Sequence, residues 1–150
     1  MPKKMIKPGI FLATVFVVIS LLFVSAGATT VNVLDGQVSV TDSANSNKVS
    51  DGIVTITAKG SLFGKKTNNI TITNESGSQA ELNFDYTTDK ASSFTIAGAT
   101  AATSGSYSVL LDAGASLAIT LVSNSGLSNT TATLKLSNFS LTVAADSSNV

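Results

Sequence analysis

Hydrophobic and polar positions along this 150-residue chain follow two regimes. The first is continuous. Residues 9–28, "GIFLATVFVVISLLFVSAGA", carry no charge and follow "MPKKMIK", which holds Lys3, Lys4 and Lys7. The second alternates. From Thr29 onward, Val, Ile, Leu, Phe and Tyr take every other position in short runs, with Thr, Ser and Asn between them. That period of two is the pattern of half-buried strands. It predicts strands at 30–34, 37–41, 52–58, 68–74, 80–86, 93–98, 106–111, 116–122, 131–136 and 139–143. Val54 and Ile56, Ile70 and Ile72, and Leu82, Phe84 and Tyr86 would face inward. So would Phe94 and Ile96, Tyr107, Val109 and Leu111, and Leu117, Ile119 and Leu121.

No window after residue 28 sustains an apolar stripe at i, i+3 and i+4, so an antiparallel β-sandwich is expected. Two local patterns sharpen the expectation. Leu134 and Leu136 share one parity, whereas Phe139, Leu141 and Val143 share the other. A slip of one residue would turn the core face outward, so a bulge or a strand-to-strand bend is predicted at Ser137-Asn138. In "LLDAGASLAITL" (110–121), Asp112, Gly114 and Ser116 break two apolar runs. A five-residue hairpin loop suits this break: Gly114 takes a positive φ at little cost, and Asp112 and Ser116 can bond the turn backbone.

The opening 28 residues read as a signal peptide. A basic start and an apolar core lead to small residues, with Ala26 and Ala28 in the A-x-A pattern of a cleavage site. An uncleaved anchor is the alternative, since about 20 apolar residues can span a bilayer. No Cys follows the apolar core, so a lipid-anchored N-terminus is excluded. Residues 29–150 would then form one exported domain, either free or the start of a longer protein. Removing residues 1–28 leaves six Lys and nine acids, a net charge of −3, with no Arg in the chain. That is a poor footprint for phosphate contacts, so nucleic acid is not an expected partner. Membrane contact is expected only through the N-terminal segment.

Chemistry is scarce. There is no Cys, His or Trp, which removes the usual nucleophile–base pairs, the commonest metal ligands and the best sugar-stacking ring. No catalytic residue, no cofactor and no resident metal is expected. Asp85, Asp89, Glu75 and Glu81 are carboxylates within one stretch, but a glycosidase pair also needs a cleft; a solvated strand face accounts for them better. Asp42, Asn45, Asn47 and Asp51 in "DSANSNKVSDG" are hard oxygen ligands without the spacing of a calcium loop, and a flexible polar loop is the simpler reading. Four Asn-x-Ser/Thr triplets, at Asn69, Asn74, Asn129 and Asn138, arise readily in a sheet of this composition. A Lys–Asn isopeptide bond from Lys59 or Lys135 to an Asn beside Asp85 is a further thought.

"NNITITNESGSQAELNFDY" (68–86) resembles the paired B and C strands of immunoglobulin-like surface domains of bacteria. "LDAGASLAITL" (111–121) resembles the L-x-x-G-x-S-x-x-I-x-L turn and strand late in the same domains. The ASPM/SPD-2/Hydin-like group shares this layout, and the resemblance covers about residues 52–144. It implies an immunoglobulin-like β-sandwich acting as a binding, spacer or assembly module, and it transfers no catalytic residue. The expected function is non-catalytic binding or adhesion at the cell surface or outside the cell, with an unknown protein or glycan as partner. The alternative is a self-associating, pilus- or matrix-fibre-like structural subunit that uses strand exchange, with residues 29–41 as donated or first strand. A carbohydrate-binding module ranks third, because Trp is missing and Tyr86 and Tyr107 sit at core parity.

Overall fold

A computed structural model describes residues 28–143. The expected signal segment and Ala26 lie outside the described residues; Ala28 is the first of them, and the first strand begins at Thr29. The chain forms β1 (Thr29–Val33), β2 (Val38–Asp42), β3 (Lys48–Ser50), β4 (Ile53–Lys59), β5 (Thr67–Asn74) and β6 (Ala80–Asp89). It continues through β7 (Ser93–Ile96), β8 (Ala99–Thr100), β9 (Ser104–Leu111), β10 (Ser116–Val122) and β11 (Thr131–Val143). A short 3-10 turn, Leu34–Gly36, joins β1 to β2.

Two antiparallel sheets result, one in the order β1-β2-β5-β10-β7-β8 and the other β3-β4-β11-β6-β9. Alternation places one face of each strand in the shared core. Val38, Val40, Ile72, Leu117, Ile119 and Leu121 meet Val54, Ile56, Leu82, Phe84, Leu134 and Leu136, all essentially without solvent contact. β-branched and aromatic side chains fit such a pleated, half-buried surface. With no disulfide available, this packing and the ladder hydrogen bonds carry the stability.

The bulge falls where the parity changes. Ser137 pairs with Asp85 and Ser140 with Asn83, so three steps on β11 match two on β6. Asn138 is the extra residue, at φ 52°. Beyond it Phe139 and Leu141 turn back to the core, with the Phe139 ring 5.9 Å from that of Phe84. The predicted strands at 131–136 and 139–143 are therefore one bulged strand.

Three expectations are corrected. The turn at Asp112–Ser116 is not a hairpin: β9 belongs to one sheet and β10 to the other, so it arches across the sandwich. Gly114 does take a positive φ (79°), and the Ala115 N–H donates to the Asp112 carbonyl. Ser116, however, bonds Thr73 across the strands, and the Asp112 carboxylate accepts from Gln79. The residue that ties this arch down is Asn74, fully buried, whose Nδ2 donates to the carbonyls of Leu111, Asp112 and Ser78. Second, residues 68–74 and 80–86 are not a pair; β5 and β6 lie in opposite sheets. Third, the polar loop at 42–52 contains a strand. β3 pairs with β4 through the turn Asp51-Gly52, where both φ are positive (53° and 76°). Ala97-Gly98, at φ 53° and 83°, likewise joins β7 to the short β8. Such two-residue turns match the twist of paired strands, and glycine at the second position removes most of their strain.

Candidate functional site

The alternation of sheets sends most connections over the two ends of the sandwich. At one end lie the loops 60–66, 90–92 and 123–130; at the other lie Leu34–Gly36, the Asp51-Gly52 turn, 75–79 and 112–115. Along β4 the ends are about 20 Å apart, from seven residues at ~3.3 Å each.

The first end holds the most exposed large apolar side chains among the described residues. Phe63 is 92 % exposed and Leu127 90 %, far above any other, and Leu62 beside them is 46 % exposed. They do not stand on loose loops. Gly60 N–H donates to the Thr130 carbonyl, the Thr130 hydroxyl to the Gly60 carbonyl, and Gly126 N–H to the Ser61 carbonyl. Lys66 N–H donates to the buried Ser123 hydroxyl, and Ser123 N–H returns a bond to the Lys66 carbonyl. Gly60 is required by this close approach, because a Cβ there would collide with the Asn124 carbonyl and the Ser123 hydroxyl. Lys59, Lys65, Lys66 and Lys90, all exposed, surround this tip. The only ion pair among the described residues joins Lys90 to Asp89 at 3.5 Å.

The opposite end is acidic and concave. Asp35, Asp51, Glu75, Glu81 and Asp112 are exposed there, against one nearby exposed lysine, Lys48, three residues before Asp51 in the β3–β4 hairpin. A groove of about 470 Å³ lies between Val33 and Leu34, the Asp51–Ile53 turn, and the bulge at Ser137–Phe139. That volume is within the ~300–1,000 Å³ of pockets that enclose an organic ligand. The bulge shapes one wall, and it is pinned from outside: Asn138 Nδ2 donates to Asp85 at 2.7 Å, and the Ser106 hydroxyl donates at 2.6 Å. These bonds, Asn138 first, hold the Asp85 carboxyl below its ordinary value of 3.8.

The carboxylates read from the sequence do not converge. Glu81 and Asp85 lie on the outer face of β6, four residues or about 13 Å apart along the strand. Asp89 pairs with Lys90, and Glu75, in the 75–79 loop, accepts from Ser39 of β2. A glycosidase needs about 5–9.5 Å between its carboxyls, within a cleft. The oxygen ligands of residues 42–51 are likewise spent or scattered. Asp42, fully buried, accepts from Ser46 N–H and hydroxyl, Asn47 N–H and Asn68 Nδ2. Asn47 Nδ2 donates to the carbonyls of Thr29 and Val40, and Asn45 bonds Thr29. Asp51 lies at the far end. Asn74, one of the four glycosylation triplets, has its amide buried and engaged. Lys59 and Lys135 are exposed on the outer faces, away from the core.

Sequence reasoning missed the tip. The signal was present in "GSLFGKK" (60–66): an apolar pair between two glycines, outside any alternation, followed by two lysines. Comparison with known proteins found no matching family model, no similar curated protein and no matching solved structure.

Proposed function

We propose that this chain is a non-catalytic, exported binding or adhesion module acting at the cell surface or outside the cell, with the loop end as its recognition surface. One observation carries the reading: Phe63 and Leu127 are held almost wholly in solvent by loops locked to each other through backbone hydrogen bonds. Leaving an aromatic and an aliphatic side chain in water lowers no folding free energy, whereas such groups anchor interfaces when a partner covers them. Recognition loops on a rigid scaffold are a common use of a sandwich. An immunoglobulin-like affiliation is supported by the neighbour order β5-β10-β7, like strands B, E and D of that fold, and by the β6–β11 pair, like C and F. In this chain β4 stands beside β11 where the last strand of that fold would lie, and β9 flanks β6.

The fibre-like alternative is favoured by a separate observation, the separation of positive and negative charge between the two ends. Strand exchange is the less favoured route to it. Donating residues 29–41 would withdraw Val38 and Val40, both fully buried, from their own core.

The chain from Thr29 onward keeps every core residue and suits the test. Labelled protein is titrated onto producing cells and onto a glycan array, beside the double variant Phe63→Asp/Leu127→Asp. Saturable binding weakened at least about tenfold by the double variant, at unchanged melting temperature, is the expected result. Binding indifferent to the double variant, or no saturable binding to cells, glycans or the protein itself, would overturn the reading.

A further inference from the structure

We infer that the partner of the loop end is a second copy of this chain: the tip of one molecule enters the groove at the opposite end of the next, so that the chain assembles head to tail. This rests on the loop end being a recognition surface, and adds what it recognises. Three observations converge. The tip presents an apolar knob, the exposed Leu62, Phe63 and Leu127 on two loops bonded to each other, and the groove has apolar walls from Val33, Leu34, Ile53 and Phe139. Its volume exceeds that of one aromatic ring. The knob end carries Lys59, Lys65, Lys66 and Lys90, with Asp89 paired to the last. The groove end carries Asp35, Asp51, Glu75, Glu81 and Asp112, with Lys48 the one lysine near the turn, so each end keeps an excess of one sign. Docking would set these opposite charges against each other, whereas tip-to-tip or groove-to-groove contacts would set like against like.

A membrane surface with anionic headgroups would also suit a basic, apolar tip. It would leave the complementary groove unused, so the second copy accounts for more of the molecule. Because knob and groove are different surfaces about 20 Å apart along β4, the contact is heterologous. Heterologous contacts repeat into rings or open filaments rather than stopping at a dimer.

The test uses two single variants of the chain from Thr29, each at a solvent-exposed position: Phe63→Asp at the tip and Ile53→Lys in the groove wall. Sedimentation velocity across a concentration series, at low and high salt, reads their size; circular dichroism checks that both remain folded. Wild type should form species that grow with concentration and shrink as salt screens the charges. Each variant alone should associate about thirtyfold more weakly, the loss of one interface hot spot. Mixed, they should regain association, a dimer first, because Ile53→Lys keeps a working tip and Phe63→Asp a working groove. Wild type that stays monomeric, a variant that assembles like wild type, or a mixture that yields no dimer would overturn head-to-tail assembly. Tip-dependent binding to cells or glycans by a monomeric wild type would leave the binding-module reading standing and overturn only this one. Binding to anionic vesicles without self-association would also overturn it, in favour of a lipid surface.

Discussion

Replacing Asp42 should cost more than replacing any exposed carboxylate, because four donors converge on it where water does not reach. Asp42→Asn would turn an amide NH₂ toward N–H groups of Ser46, Asn47 or Asn68, which can only donate. The expected loss is about 3 kcal/mol, the order of a buried donor left without an acceptor, read as a lowered midpoint in chemical denaturation. Asp85 gives a test of opposite character, since it lies on the outer face and its bonds act on protonation. Asn138 and Ser106 donate to the ionised form, so its folded value falls below 3.8. The contribution to stability is therefore present at neutral pH, above the unfolded value, and is lost as pH falls through the lowered folded value. A carboxyl titration by NMR should place Asp85 below 3.8, and Asn138→Ala should move the midpoint upward. No movement would separate the bulge residue from the acid.

Among the elements, the paired loops 60–66 and 123–130 are held by backbone bonds and one close approach. Gly60→Ala should force them apart, at about 1–3 kcal/mol for overpacking against backbone. Amide exchange should rise in both loops while β5, β6 and β10 stay protected; uniform loss of protection would mean that the loops are not a separable unit. β11 shows how an element can be read from sequence. The parity change at Ser137-Asn138 was legible because a buried face punishes a one-residue slip, and the bulge sits there. β3 was not legible. It is three residues long, all exposed, so it has no alternation to show; only the Asp51-Gly52 pair announced it.

For the molecule as a whole, two sheets share one core, so unfolding should be a single cooperative event. Ile119→Ala, in the central β10 and facing that core, should cost about 2–5 kcal/mol. Circular dichroism and tyrosine fluorescence should follow one common transition in the variant as in the parent. Separate transitions would mean that the sheets hold independent cores.

The alternation after Thr29 determined by itself that the chain is all-β, where most strands lie and which face of each is buried, because a period of two in side-chain direction is a property of the strand alone. The absence of Cys and His likewise narrowed the available chemistry without any coordinates. Which sheet each strand joins was decided only by tertiary structure. Leu111 and Leu117 look alike whether a hairpin or an arch lies between them, since both arrangements bury the same face. The charge excess at each end had the same origin: lysines and acids are interspersed along the chain, and only the path of the strands brings Lys59, Lys65 and Lys66 to the tip beside Phe63 and Asp35, Asp51 and Asp112 to the groove end. Exposure of Phe63 and Leu127 also had to come from the fold: "GSLFGKK" marks an apolar pair outside any alternation, but not whether the neighbouring loops cover it.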